Sequence, residues 1–327
     1  MAAVLVTGGA GYIGSHTVRH LLARGHRIVI VDLQAITPRG PLAGARGVVA
    51  DVRDTGKISE LLREEQIEAV IHLAGLKSVA ESMDDPGAYF DTNVAGSLSV
   101  LRAMAAVGTR SLVFSSSCAV YGTPTRLPVD ELQPLRPESP YGASKMMVED
   151  MLRWFGRIHG MQIVSLRYFN AAGADLDAAI GEDWDRSTML VPALMKAALH
   201  ERGPVDIFGT DYPTPDGTAI RDFVHVLDLA DAHIRAVEIP ADGTTNGVVA
   251  LNLGRGVGAS VREVISIVED VSGRSVPVRW TDRRAGDPAQ VWADPSRARV
   301  ELGWEARYDL HTIVETAWAW HSSRVRR

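Results

Sequence analysis

Four apolar residues, Ala3, Val4, Leu5 and Val6, run without a break into the glycine-rich TGGAGYIG of residues 7–14, and an amphipathic pattern follows to about residue 24. The apolar run reads as a buried strand and the amphipathic stretch as a helix, so the chain opens strand, tight turn, helix. Gly8, Gly11 and Gly14 stand three apart. A backbone without side chains at those places passes close to a pyrophosphate, while the helix amino terminus offers free N–H groups and a partial positive charge. A glycine triplet alone is equally a plain turn with a helix cap. Here it follows a strand at the amino end, where a dinucleotide fold begins. Asp32 adds a second signal. It closes another apolar strand, residues 27–31 (RIVIV), 18 residues beyond Gly14, where a carboxylate accepts hydrogen bonds from a ribose diol. That carboxylate would repel a 2′-phosphate, and Leu33, Gln34, Ala35 and Ile36 supply no arginine to receive one. The expected cofactor is therefore NAD rather than NADP.

Alternation of apolar strands and amphipathic helices continues for about half of the 327 residues, the signature of a parallel sheet with helices on both faces. Strands are expected at 47–50, ending in Asp51, at 69–73, at 111–114 and at 162–166. Helices are expected at 57–64, through a long stretch 86–107 that holds Asn93, and from 139 to 159. Beyond Gly173 the rhythm loosens, and segments rich in Asp, Gly and Pro (173–187 and 209–218) alternate with short elements. The expected fold class is α/β: a Rossmann-type doubly wound parallel sheet over residues 1–174, with a second, smaller mixed α/β substrate lobe over 175–327. The chain is expected to return to the first lobe around 221–254, through a helix near 227–237 and the apolar run 247–253.

Hydrophobic content of 46% and charged content of 23% are those of an ordinary soluble globular protein. The net charge of -6 argues against general nucleic-acid or anionic-membrane binding, and Arg324, Arg326 and Arg327 read as a solvated tail. The single cysteine, Cys118, excludes an intrachain disulfide framework and an all-cysteine metal site, which fits a reducing cytoplasm. No basic segment with a long apolar run opens the chain, and no stretch is long enough to span a bilayer. A cytoplasmic protein is expected. His72, His225 and the other histidines show no metal-ligand spacing, so no metal is expected.

Two stretches carry reactive side chains. Ser115, Ser116 and Ser117 sit at the carboxyl end of a strand, where this architecture binds ligands. SPYGASK (139–145) then starts a helix, with Ser139 as N-cap, Pro140 at the first position, and Tyr141 and Lys145 four apart on one face. A phenol is a poor base at neutral pH, and lowering its pKa by roughly 3 units requires about 4 kcal/mol of preferential stabilisation of the phenolate. One positive charge about 4 Å away in a partly protected site supplies on the order of that much. Lys145 is thus expected to make Tyr141 a general base for a substrate hydroxyl, with the oxidised nicotinamide ring and the helix amino terminus acting in the same sense. Ser117 can hold or relay the proton as a hydride leaves to NAD.

TGGAGYIGSH, HLAGLKSVAES, FSSSCAVYG, SPYGASK, RYFNAAG, RDFVHVLDLADAH and RRAGDPAQVWAD together resemble the UDP-glucose 4-epimerases of the extended short-chain dehydrogenase/reductase family, over essentially the whole chain. The resemblance implies Ser117, Tyr141 and Lys145 as the catalytic trio. It implies cofactor contacts from Gly8, Gly11, Tyr12, Ile13, Gly14, Asp32, Leu33, Asp51, Val52, Leu73, Ala74, Gly75, Lys77, Asn93, Ser115, Tyr141, Lys145 and Phe169. Substrate contacts would come from Lys77, Ser117, Tyr141, Asn170, Leu190, Phe208, Arg221, Arg284, Asp287 and Val291, with Phe208 offering a face to a uracil and the arginines gripping a diphosphate. It further implies oxidation at sugar C4, rotation of the 4-keto sugar, hydride return to the opposite face, and a homodimer joined through helices of the first lobe.

Three substrate-side positions depart from the family pattern. Val291 stands beside Trp292 where a tyrosine or cysteine is usual. Thr188, Met189 and Leu190 replace an Asn-Asn-Leu run, after a rebuilt loop GEDWDRS. Phe223 lacks a tyrosine hydroxyl. The departures are compatible with an unchanged UDP-glucose site or with a bulkier sugar, such as a UDP-N-acetylhexosamine. A nucleotide-sugar dehydratase would need an acidic pair where Cys118 and Ala119 stand. A simple alcohol dehydrogenase would release its cofactor each cycle, and a non-catalytic NAD-binding protein would have no need of Ser117, Tyr141 and Lys145 together.

Overall fold

The computed structural model describes residues 1–34, 40–185, 187–239, 247–284 and 287–325; Ala35, Ile36, Arg186, Ala285, Gly286, Arg326 and Arg327 lie outside them. Six strands follow one another in the first half: β1 (Ala3–Thr7), β2 (Arg27–Asp32), β3 (Arg46–Val49), β4 (Ala69–His72), β5 (Ser111–Ser117) and β6 (Gln162–Tyr168). Short strands β7 (Asn170–Ala172), β8 (Val205–Phe208), β9 (Ile220–Arg221) and β10 (Phe223–His225) precede β11 (Val248–Leu253), and β12 (Ala259–Ser260), β13 (Val278–Thr281) and β14 (Gln290–Val291) close the series.

Seven of these form one wholly parallel sheet in the order β11-β6-β5-β4-β1-β2-β3. The chain leaves β1 in one direction through β2 and β3, then returns to β4 on the other side of β1. That reversal opens a crevice at the carboxyl ends of β1 and β4, the place where such sheets bind ligands. Alternation along β1 decides the layers: Val4 and Val6 face the helices Tyr12–Ala23 and Val226–Val237, where Val18, Leu21 and Leu229 meet them. Leu5 faces the other way, onto Ile58, Val100 and Val148 of three further helices. Burial of apolar faces on both sides is what a central parallel sheet requires.

Elsewhere a separate apolar core joins the helices Leu190–Ala198, Val261–Ser272 and Leu310–Val325 to β8, through Leu194, Val268, Ile313 and Ile207. The expected return of the chain is seen in β11, which pairs with β6 along its length, and in the helix Val226–Val237. It reaches further than the sequence pattern indicates. Ala298, Leu302 and the fully buried Trp304 also pack into the sheet's core, and the Trp304 indole donates to the Asp228 carbonyl at 2.8 Å.

Element bounds differ in places for local reasons. Strand β5 runs on to Ser117, not 114, because its serines continue the ladder with Leu166, Arg167 and Tyr168; hydroxyls hide that from an apolar pattern. The stretch 86–107 is helical throughout but contains a wide π turn, Phe90–Ala95, between the helices Pro86–Tyr89 and Gly96–Val107. A helix absent from the sequence reading, Val79–Asp84, precedes it and is capped by Ser78, which accepts from the Glu81 N–H.

Candidate active site

Because every strand of the sheet points the same way, the ends of β1, β2, β3, β4 and β5 gather on one edge, and the residues that follow them line one crevice. Gly8 turns there with a positive φ of 70°, and a Cβ on it would lie 2.7 Å from the Ala74 nitrogen. A Cβ on Gly14 would lie 2.3 Å from the Gly8 carbonyl oxygen, so the helix is pressed onto the turn. The helix Tyr12–Ala23 has no side-chain cap and no acidic residue in its first turn, which leaves its positive end to an anion. Asp32 is half-buried; its carboxylate accepts from the Ala10 N–H at 3.1 Å and from the Gln34 N–H at 3.1 Å. These oxygens are anchored and keep lone pairs for a diol. Leu33 beside it is exposed. Glycine turn, uncapped helix end and anchored carboxylate fit a dinucleotide with an unphosphorylated ribose.

Farther along the crevice, Arg53 holds the Asp51 carboxyl below its ordinary value while Val52 is buried. The Leu73 and Ala74 N–H groups donate to the Thr7 carbonyl and hydroxyl at 3.0 and 3.4 Å, which stitches β4 to β1. Asn93 is buried in the π turn. Its amide takes the Leu76 N–H at 2.8 Å, and gives one hydrogen to the Leu76 carbonyl at 3.1 Å and one to the Ser144 hydroxyl at 3.0 Å. Asn93 thus holds the loop of Gly75 and Lys77 to the helix Pro140–His159 and keeps one lone pair of its amide oxygen for a further donor. Lys77 forms an ion pair with Glu182 at 3.0 Å. The Trp320 indole donates to the Glu182 carbonyl at 2.9 Å, and the Tyr12 hydroxyl donates to the Gly173 carbonyl at 2.6 Å. Spacing in the sequence carries no sign of Glu182, since its partners Lys77 and Trp320 lie more than a hundred residues away.

The helix Pro140–His159 begins at Ser139, whose hydroxyl accepts from the Gly142 N–H at 3.1 Å. A Cβ on Gly142 would lie 2.5 Å from the Ala119 carbonyl oxygen, so the helix start abuts the end of β5. Lys145 is buried; its ammonium donates to the Ser115 carbonyl at 2.7 Å and lies 5.9 Å from the centre of the Tyr141 ring. The Ser117 hydroxyl accepts from the Ala119 N–H at 3.2 Å and stands near enough to the Tyr141 phenol to favour its ionised form. Trio and crevice meet on the same edge.

The electrostatics differ from the sequence expectation. Burial pushes the Tyr141 phenol up to about 12, against the hydrogen bond from Ser117. Burial likewise pushes the Lys145 ammonium down to about 8, against the attraction of Glu149. Lys145 alone does not offset that burial: its ammonium is committed to the Ser115 carbonyl, and the Tyr141 side chain is half-buried.

On the far side, Arg221 of β9 faces Asp287 at 3.7 Å and donates to the Ile220 carbonyl at 2.9 Å. Burial lowers its affinity for a proton, and the like charge of Arg284 acts in the same sense. The Arg221 and Arg284 guanidinium groups thus stand within electrostatic reach of each other, with Asp287 facing Arg221, a gathering of positive charge that suits a diphosphate. The Arg284 guanidinium lies 4.2 Å over the Phe208 ring, so one face of the ring expected to meet a uracil is already covered. Asn170 of β7 donates its N–H to the Asp222 carbonyl at 2.9 Å. Val291 pairs with Arg221 and is buried beside Phe169 and Val120; Phe169 donates its N–H to the Leu253 carbonyl. Leu190 opens its helix and packs on the second core, and Phe223 is buried inside that core rather than at the crevice.

Residues 4–254 match the NAD dependent epimerase/dehydratase family. The chain belongs to that family. It is 44% identical over 321 residues to the UDP-glucose 4-epimerase of Rhizobium meliloti (strain 1021), covering 98% of this chain and 97% of that protein. A crystal structure of UDP-glucose 4-epimerase from Stenotrophomonas maltophila with bound NAD and formylated UDP-arabinopyranose superimposes with a TM-score of 0.94 at 41% identity, over 100% of this chain and 99% of that one. The Bifidobacterium longum enzyme, solved with NAD+ and UDP, gives a TM-score of 0.91 at 37% identity over 99% of each chain. In this member of the epimerase/dehydratase family the matched stretch holds the glycine turn and the Tyr141 helix, whereas Arg284, Asp287 and Val291 lie beyond it.

Proposed function

We propose that this chain is an NAD-dependent UDP-hexose 4-epimerase, which interconverts UDP-glucose and UDP-galactose through a transient 4-keto sugar. The observation that carries the reading is the meeting of Ser117, Tyr141 and Lys145 on the crevice edge that also holds the glycine turn and Asp32. The cofactor residues are Gly8, Gly11, Tyr12, Ile13, Gly14, Asp32, Leu33, Asp51, Val52, Leu73, Ala74, Gly75, Lys77, Asn93, Ser115, Tyr141, Lys145 and Phe169. Bound NAD supplies the hydride acceptor, and its cationic ring favours the phenolate that burial opposes. Tyr141 takes the proton of the C4 hydroxyl, with Ser117 holding that hydroxyl in reach, and gives a proton back once the sugar has turned. Lys145 orients the pair from its seat on the Ser115 carbonyl. Arg221 and Arg284 grip the diphosphate, Asn170, Phe208 and Asp287 the nucleotide side, and Lys77, Leu190 and Val291 line the remainder. Firm hold on the diphosphate and loose hold on the sugar let binding and rotation coexist.

A second reading, a bulkier sugar such as a UDP-N-acetylhexosamine, is favoured by the short Val291 side chain next to Arg221. The protein acts in the cytoplasm as a homodimer. Among the described residues no helix is long and apolar enough to cross a membrane, and the outer face of the helix Pro140–His159 exposes Met147, Trp154 and Ile158.

One experiment tests both readings: kcat/KM for UDP-galactose and UDP-N-acetylgalactosamine, on the wild type and on Tyr141→Phe. The wild type should invert C4, and the variant should lose about 100- to 10,000-fold in kcat while still binding UDP. Near-normal turnover by Tyr141→Phe would remove its role. A preference of tenfold or more for the plain hexose, about 1.4 kcal/mol, sinks the bulkier-sugar reading.

A further inference from the structure

We propose that Glu149 is a positioning residue that, clamped by Arg167, sets the helix Pro140–His159 on β5 so that Lys145 meets Ser115 while Tyr141 meets Ser117. Glu149 follows Lys145 by four residues and so lies one turn along the same helix face. It is 2% exposed. Its Oε1 accepts from the Ser116 hydroxyl at 2.6 Å and from Arg167 Nε at 2.9 Å, and its Oε2 accepts from the Arg167 guanidinium at 2.5 Å. Ser116 is the residue between the two that the mechanism uses. Side chains alternate along a strand, and its hydroxyl reaches back to the helix. The Glu149–Ser116 bond therefore fixes how far the helix can slide along β5 at the point where sliding would part both working contacts.

The clamp continues past Arg167. Its guanidinium donates to the Tyr121 hydroxyl at 2.7 Å, Tyr121 donates to the Asn252 side chain at 2.7 Å, and Asn252 donates to the Val129 carbonyl at 2.8 Å. The Val129 N–H donates to the Trp292 carbonyl at 2.8 Å, next to Val291 on the substrate wall. An unbroken run of directional bonds thus joins the helix of the base to the strand that faces the sugar. A buried ion pair contributes little net stability compared with apolar packing, but it fixes orientation, which is what a reaction sensitive to displacements of about 1 Å needs.

Charge supports the same assignment. Burial raises the Glu149 carboxyl, but Arg167 and Ser116 more than reverse that and keep it below its ordinary value. The ionised group faces Lys145 on its own helix and sustains its ammonium against burial. The other groups facing this cluster are Tyr141 and Arg153 on the same helix, His72 on β4, which burial keeps neutral, and Arg167 on β6. Removing the Glu149 charge takes away the support of the ammonium, so Lys145 should lose its proton at lower pH.

The inference rests on the epimerase reading above, and the test separates the two. Wild type, Glu149→Gln and Ser116→Ala are compared by kcat and KM for UDP-galactose across the alkaline range, by UDP binding and by thermal melting. Glu149→Gln should bind UDP as the wild type does, lose about 10- to 100-fold in kcat and move the alkaline limb of kcat to lower pH. Ser116→Ala, which keeps the charge, should lower kcat with the limb in place; should Glu149→Gln fail to fold, this variant carries the test through kcat alone. An active wild type beside variants with unchanged kcat and an unmoved limb, whatever their melting temperature, overturns this proposal alone. A wild type inert toward every UDP-hexose overturns both.

Discussion

Phe208 and Arg284 show how a single ring can serve two partners, one on each face. The ring offers a flat face, yet the guanidinium 4.2 Å above it is held there, so the aromatic orients a cation that would otherwise sample solvent. Arg284 thereby stands beside Arg221 despite their mutual repulsion. Arg284→Ala should remove one charge-assisted contact, of about 1.5–3 kcal/mol, so that UDP binds roughly 10- to 100-fold more weakly by calorimetry, with KM rising more than kcat falls. Legibility at this scale follows distance along the chain. Tyr141 and Lys145 are four apart on one helix, and Ser117 ends a strand, so local pattern marks them. Glu182 against Lys77 and Glu149 against Arg167 meet through the fold, and no spacing announces them. For the acidity of Tyr141 the helical repeat shows its proximity to Lys145, whereas the burial that raises the phenol depends on the whole fold.

Among the elements, the helix Pro140–His159 has the most to do. Its inner face carries Val148 and Leu152 into the core and Lys145 and Glu149 onto β5. Its outer face carries Met147, Trp154 and Ile158, 44%, 60% and 67% exposed, at positions seven and four apart and hence on one side. Large apolar groups gathered in this way are the kind of surface that an interface covers, which is why the proposed homodimer is placed there. If the proposed homodimer uses this face, Trp154→Arg should leave monomers, read as a halving of mass in light scattering, with UDP binding retained in the separated subunits. The helix itself was legible from its Ser-Pro start and its period. The π turn that seats Asn93 was not, because a single wide turn of six residues is too short to set an apolar period of its own.

Over the whole molecule, buried histidines govern the response to acid. Burial depresses His72 and His225 to about 3 and His233 and His321 to about 4, from 6.5. Below pH 6.5 the unfolded chain binds protons at these four that the folded chain refuses, so stability falls as the pH drops toward 4. Asp222 and Asp228, raised by burial to about 6 from 3.8, act in the opposite sense over much of the same window, since the folded chain takes up their protons first. His16 and His20 are lowered by burial as well, and Glu131 is raised; six groups against three leave a net loss, and thermal melts should show a falling Tm from pH 6.5 to 4, whereas a rising Tm would mean that the carboxyls dominate.

The division of the chain was less legible than its sheet, because the partners of late segments are chosen by shape. Trp304 fills a slot under β1's neighbours, and β11 completes the sheet from beyond the second core. The polypeptide is therefore sewn rather than hinged. A fragment ending at residue 174 would leave β6 with a bare, adhesive flank and an empty socket where the indole belongs. Nucleotide half and sugar half cannot be inherited, expressed or exchanged as separate parts, and whatever variation this architecture accepts must be written into its connecting segments.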